Sequence, residues 1–217
     1  MGVSDRESGA RMAGIAKVAT TLRLGDPDPD AGFWLSRSPG ERVGHVRELQ
    51  GLYYGPNRDD GGGMQLPRDL HQFVALCVGH GVRFLVVGGY AVAVHGHPRL
   101  TKDLDVWVWV DPDNASRMAA VLDEFGFGSL GLSAEDFVLE GQVIQLGYPP
   151  NRIDIMTSIA GVDFDECWAR RTEVMLDSVA VPFIGVEDLE RNKLAAGRFQ
   201  DLADVEALRH NRTSSPE

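Results

Sequence analysis

Residues 85–106 read LVVGGYAVAVHGHPRLTKDLDV, and the reading of this stretch decides the fold. The apolar run 83–87 (RFLVV) stops at Gly88-Gly89, which predicts a buried strand, a tight turn and a short helix over 90–96. Residues 103–110 (DLDVWVWV) then alternate as a half-buried strand does. Alternation puts Asp103 and Asp105 on one face with Trp107 and Trp109, and turns Leu104, Val106, Val108 and Val110 to the other. The tryptophans can stack on a base or cover the sheet beneath a helix. His95 and His97, flanking Gly96, can serve the turn or touch a phosphate.

Two carboxylates on one face of such a strand repel each other and lose hydration. A bound cation is one resolution. Hard divalent ions take carboxylate oxygens, and two carboxylates two residues apart can hold a pair of Mg²⁺ ions about 4 Å apart for phosphoryl transfer. The other resolution is a strand end where both are solvated or pair with Arg99 and Lys102. Residues 151–156 (NRIDIM) alternate too, with Ile153 and Ile155 toward the core and Arg152 and Asp154 away from it. Laid beside 103–110, this strand adds Asp154 to the cluster; elsewhere Asp154 is an ordinary ion-pair partner. Gly88-Gly89, between strand and helix, lets backbone amides approach a phosphate, although such turns also use glycine for steric reasons alone.

Working outward, helices are expected over 67–80, with Leu70, Phe73, Val74 and Cys77 on one face, and from the Asp111 cap and Pro112 to about Phe125. Further helices are expected over 163–170, 187–196 and 200–210. Strands are expected at 142–147 and 151–156, joined by a Pro-Pro-Asn turn, and at 172–176 and 179–184. This order is α/β (α+β): a small mixed sheet flanked by helices, which we expect to cover one side. Residues 1–63 read as an N-terminal extension and 64–217 as the main domain. Within the extension, Ser38, Pro39 and Glu41 open a capped helix, Val43, Val46, Leu49, Leu52 and Tyr53 form its apolar stripe, and GPNRDDGGG (55–63) is a flexible linker.

Hydrophobic residues make up 43% of the 217, enough for a buried core, and the formal net charge of −11 argues against a broad basic surface for duplex DNA. A short RNA end on a local basic patch is compatible with it. Cys77 and Cys167 have no metal-ligand spacing and read as reduced thiols. No run reaches the ~18 apolar residues of a membrane span and no signal core opens the chain, so a cytoplasmic protein without a membrane partner is expected.

The glycine pair, spacer and Asp-x-Asp resemble the signature of the DNA polymerase beta-like nucleotidyltransferase superfamily. HGHPRLTKDLD (95–105) resembles the minimal nucleotidyltransferases related to AbiEii-type toxins, and NKLAAGR (192–198) with DLAD (201–204) resembles that group's closing motif. Over residues 64–210 the resemblance implies a polymerase beta-like fold and transfer of a nucleoside monophosphate from an NTP. The implied acceptor is an RNA 3′ end such as a tRNA, or a protein hydroxyl, in a toxin–antitoxin setting. Transfer to a small molecule, as in antibiotic-modifying relatives, and an idle nucleotide- or protein-binding domain are the alternatives. By position, the resemblance implies phosphate cradling by Gly88 and Gly89 and metal ligation (Mg²⁺, two ions, or Mn²⁺) by Asp103, Asp105 and Asp154, with Asp154 also base-like. It implies nucleotide contact by Lys193 with Arg198 nearby, both oriented by Asp201 and Asp204. Arg99 and Lys102 are candidate cations for the polyphosphate, since three carboxylates beside it need local positive charge. Tyr90 follows the glycines, whereas many relatives carry a Ser in this loop to touch a phosphate. Residues 33–42 (FWLSRSPGER), with the helix through Tyr54, resemble the small proteins often encoded just upstream of such enzymes. That implies a tethered, antitoxin-like element in which residues 31–54 dock on the enzyme domain and restrain it. The plain alternative is an extension that covers an apolar patch.

Overall fold

The computed structural model describes residues 15–24, 26, 67–97, 99, 101, 103–148 and 151–214. Residues 31–54 and Lys102 lie outside the described residues. In chain order the elements are β1 (Ala19–Arg23), α1 (Arg68–Gly79), β2 (Phe84–Val86), α2 (Gly88–Val94), β3 (Asp103–Val108), α3 (Pro112–Glu124), β4 (Gln142–Tyr148) and β5 (Asn151–Met156). There follow α4 (Phe164–Ala169), β6 (Thr172–Leu176), β7 (Val179–Phe183), α5 (Val186–Ala196) and α6 (Phe199–Ser214). The strands form one seven-stranded mixed sheet in the order β1-β4-β5-β3-β2-β7-β6. The two parallel contacts, β5 with β3 and β2 with β7, are made by strands distant in sequence; the others are antiparallel.

Local chemistry explains the elements that frame the centre. The Asp111 carboxylate accepts hydrogen bonds from the backbone N–H groups of Asp113 and Asn114, and Pro112 occupies the first helical position, so α3 starts where the sequence places it. The Asn114 side chain then ties α3 to the β2–β3 end of the sheet, accepting from Arg83 N–H and donating to the Arg83 and Trp109 carbonyls. On the apolar face of the central strands, Leu104, Val106, Ile144, Leu146, Ile153 and Ile155 are wholly buried. Each such side chain contributes about 1.5–3 kcal/mol through burial. On the opposite face Trp107 is covered by Phe164 of α4, ring edge to ring face with centroids 4.9 Å apart. The second face is thus covered locally at Trp107, where the sequence reading expected cover on one side only.

Two further differences from the sequence reading bear on the site. Helix α2 begins at Gly88 itself, so the glycine pair is its first turn rather than a loop before it. Residues 19–23, on the N-terminal side of the division at residue 64, form the edge strand β1, paired from Ala19↔Leu146 to Arg23↔Gln142. Lys17 holds this segment down: its Nζ donates to the Phe125 carbonyl at 2.9 Å and lies 4.4 Å from the Phe127 ring centroid. ATTLR was not legible as a strand because an edge strand needs one covered face only, and its exposed residues carry no alternation signal.

Candidate active site

The parallel register of β3 and β5 assembles the centre. Asp105 lies directly opposite Asp154, and Asp103 opposite Arg152. On the other side of β5, Gln145 of β4 is opposite Asp154, so Asp105, Asp154 and Gln145 form one row across three strands. Since strand side chains alternate, all of these project from the same face as Trp107. The three aspartates that the sequence nominated are thereby neighbours.

Arg152 stands among them. Its side chain is 6% exposed, its Nη2 is 3.0 Å from Asp103 Oδ2 and 2.8 Å from Asp154 Oδ2, and its Nε is 2.7 Å from Asp154 Oδ1. The last contact is an ion pair whose angle falls short of a hydrogen bond. Gln145 adds a long contact, Nε2 to Asp154 Oδ2 at 3.5 Å. Burial pushes the Asp154 carboxyl up to about 8, the negative charges of Asp105 and Asp103 push the same way, and Arg152 opposes them. Burial also raises Asp105, against the pull of Arg152, Lys193 and Arg198 and a hydrogen bond from the Gly89 N–H. The facing pair does not readily carry two full negative charges on its own.

The glycine pair fits against this centre with no room to spare. Gly88 has φ +60, a left-handed conformation, and a Cβ there would lie 1.9 Å from Asp105 Oδ2. A Cβ on Gly89 would lie 2.5 Å from Thr101 Oγ1. Both glycines are thus required by close packing, whatever else they bind.

A basic wall closes the site from the α5–α6 corner. Lys193 Nζ is 2.9 Å from Asp201 Oδ1 and 2.7 Å from Asp204 Oδ2, and all three side chains are at most 4% exposed. Arg198 pairs with Asp201 at 2.6 Å, with its own side chain largely exposed. Arg99 grips Asp204 through Nε at 2.8 Å and Nη2 at 3.0 Å. Although burial alone raises them, Asp201 and Asp204 are both held below the usual carboxylate range by these cations. The candidate cations Lys193 and Arg198 are near enough to bear on Asp105, whereas Arg99 engages the closing helix at Asp204.

Other residues that the sequence singles out make packing contacts. The His95 Nε2–H donates to the Ile184 carbonyl at 2.7 Å, consistent with a role in the turn. Trp107 packs under α4, and Trp109 lies beneath the Arg83 guanidinium, 4.0 Å from Cζ to ring centroid. Cys77 and Cys167 are buried free thiols. Arg152 and Gln145 were not nominated as site residues. The signal for Arg152 was present, since the alternation that exposes Asp154 puts Arg152 on the same face. Gln145 acquires its place only through the β4–β5 register.

The three carboxylates have the chemistry of a hard divalent site, oxygen donors whose burial asks for positive charge. They are not gathered as a finished cage: among the described residues no group of three or more His, Cys, Asp or Glu side chains is arranged to hold a metal ion. Arg152 takes up the space between Asp103 and Asp154 instead. Among the described residues, no helix is long and apolar enough to cross a membrane.

No protein-family model matches the chain, and no curated protein matches it in sequence. Solved structures that resemble it include a Thermotoga maritima protein provisionally assigned as a nucleotidyltransferase, with 16% identity and a TM-score of 0.43 over 70% of this chain and 98% of that one. A second is the lincosamide antibiotic adenylyltransferase LnuA with lincomycin bound, with 14% identity and a TM-score of 0.41 over 67% and 97%. A third is the antibiotic-resistance factor ANT(2'')-Ia, with 16% identity and a TM-score of 0.34 over 67% and 90%. Likenesses this distant carry no argument about what this chain does, which rests on its own residues.

Proposed function

We propose that this chain is a metal-dependent nucleotidyltransferase that moves a nucleoside monophosphate from an NTP onto a hydroxyl. The observation that carries the reading is the register pairing of Asp105 with Asp154, with Asp103 beside them, packed against Gly88-Gly89 and within electrostatic reach of Lys193 and Arg198. Asp103, Asp105 and Asp154 would hold Mg²⁺, or Mn²⁺, whose charge would stabilise the attacking oxygen and the leaving pyrophosphate. The chain's own residues do the rest. Asp154, which burial holds largely protonated near neutral pH, would be ionised by the charge of the bound ion and so placed to accept the acceptor's proton. Arg198, exposed at the rim, draws in polyphosphate, and Lys193 supplies a fixed positive charge behind it.

For the acceptor we propose an RNA 3′ end such as that of a tRNA, or a protein hydroxyl, in a cytoplasmic toxin–antitoxin setting. A net charge of −11 suits a short, local contact better than a duplex. Residues 31–54, outside the described residues, are read as a restraint on the enzyme domain. Replacing 31–63 by a short Gly-Ser linker, which keeps β1, should leave activity unchanged or increased; a drop would end that reading. The main test is incubation with each labelled NTP, Mg²⁺, bulk tRNA and a cell extract. Label should appear on tRNA or protein and be absent with Asp105→Asn. Label on low-mass species would move the acceptor to small molecules, and no Asp105-dependent transfer from any NTP would refute the activity.

A further inference from the structure

We infer that Arg152 is the built-in counter-cation of the carboxylate centre and competes with a divalent ion for Asp103 and Asp154. The inference rests on the metal-site reading above and goes beyond it by assigning a role to a residue outside the ligand set.

The geometry is specific. Arg152 and Asp154 lie two residues apart on β5 and share a face, while Asp103 is the register partner of Arg152 on β3. One guanidinium therefore reaches both carboxylates from within the strand pair, without a loop or a helix having to bring it. Both oxygens of Asp154 face it, Oδ1 toward Nε and Oδ2 toward Nη2. An arginine is positively charged at any working pH, and its planar fork suits a carboxylate. One such charge serves two of the three carboxylates, Asp103 and Asp154, and leaves Asp105 without a direct guanidinium contact.

Two consequences follow. The centre can fold with its carboxylates close together before any ion arrives, because a buried charge is costly chiefly when it has no partner. An ion that engages Asp154 must share or displace oxygens already committed to Arg152, so the arginine lowers the affinity of the centre for divalent ions. Asp105 differs: its hydrogen bond comes from the Gly89 N–H, and Arg152 acts on it through charge alone. Asp103 and Asp154 are therefore the carboxylates whose oxygens an ion must share with Arg152.

The test is Mn²⁺ binding without nucleotide, read from the free-ion paramagnetic resonance signal, for the wild-type chain, Arg152→Gln and Arg152→Lys. Arg152→Gln should bind at least tenfold more tightly, and Arg152→Lys, which keeps the charge but loses the fork, should fall between. Equal, measurable affinities in all three would overturn the competition and leave the metal reading standing. No binding by any of them would remove the metal reading and the inference with it. A second measurement is made on the wild-type chain itself. In the wild-type chain the Arg152 Nε–H resonance, assigned by its loss in Arg152→Lys, should shift on titration with Mg²⁺; if it stays fixed while Mg²⁺ binds, Arg152 is a brace and not a competitor.

Discussion

Removing the Lys193 ammonium while keeping most of its apolar stem, as in Lys193→Met, tests whether this lysine braces the closing helix or only waits for nucleotide. Nζ sits 2.9 Å from Asp201 and 2.7 Å from Asp204, with essentially no solvent access to any of the three side chains. Taking away one partner of a buried pair costs about 3–5 kcal/mol, because a charge is left without compensation. Here each aspartate keeps an arginine, Arg198 for Asp201 and Arg99 for Asp204, so the lower end applies, about 3 kcal/mol. That is a large share of the 5–15 kcal/mol of a typical domain. With a urea slope of about 2 kcal/mol per molar, the unfolding midpoint should fall by about 1.5 M. Tryptophan fluorescence is a suitable probe, since Trp107 is buried against Phe164. The loss should also depend on pH. Asp201 and Asp204 are lowered in the folded chain, so their contribution is present above the unfolded carboxylate value, near 3.9, and fades as pH falls through their lower folded values. The gap between wild type and Lys193→Met should therefore close in strong acid. A midpoint that moves by less than about 0.3 M, together with a raised KM for NTP, would refute the brace and make Lys193 a nucleotide contact held at little structural cost.

Asp105→Asn should abolish nucleotide transfer and leave the urea midpoint unchanged or higher, because the carboxyl it replaces is raised by burial; loss of both activity and fold would show that Asp105 is structural. Asp154, an acid raised to about 8, contributes stability that is complete below its unfolded value near 3.9 and is lost as pH rises through 8. Without added divalent ions, thermal stability relative to Asp154→Asn should therefore fall between pH 5 and 9, and a flat difference would contradict the burial argument. Gly88→Ala should cost about 1–2 kcal/mol for the left-handed backbone alone, with more from the collision with Asp105, and should depress transfer; a stable, active Gly88→Ala would mean that Asp105 can move aside freely. A chain starting at residue 64 lacks β1 and opens the edge of β4, so it should aggregate or melt lower than one starting at residue 15. Equal melting and solubility would make β1 dispensable.

The fold class and the identity of the central carboxylates follow from the sequence alone, because both are written in short periods. Alternation over 103–110 and 151–156 fixes which side chains share a face, and DLD and RID keep their acids together whatever the rest of the chain does. The Asp111-Pro112 cap is local in the same sense, and α3 begins where it says. What faces what across the sheet is not local. That Asp105 meets Asp154, that Arg152 falls opposite Asp103, and that Gln145 completes the row are consequences of register between strands about 50 residues apart, or joined through a turn, and no single segment encodes register. The same holds for Lys193. The resemblance implies that Asp201 and Asp204 orient it, and the packing of α6 on α5 is what buries its ammonium between the two. β1 is the extreme case, a segment whose own pattern is too weak to mark a strand and which becomes one because β4 presents an unpaired row of backbone donors and acceptors.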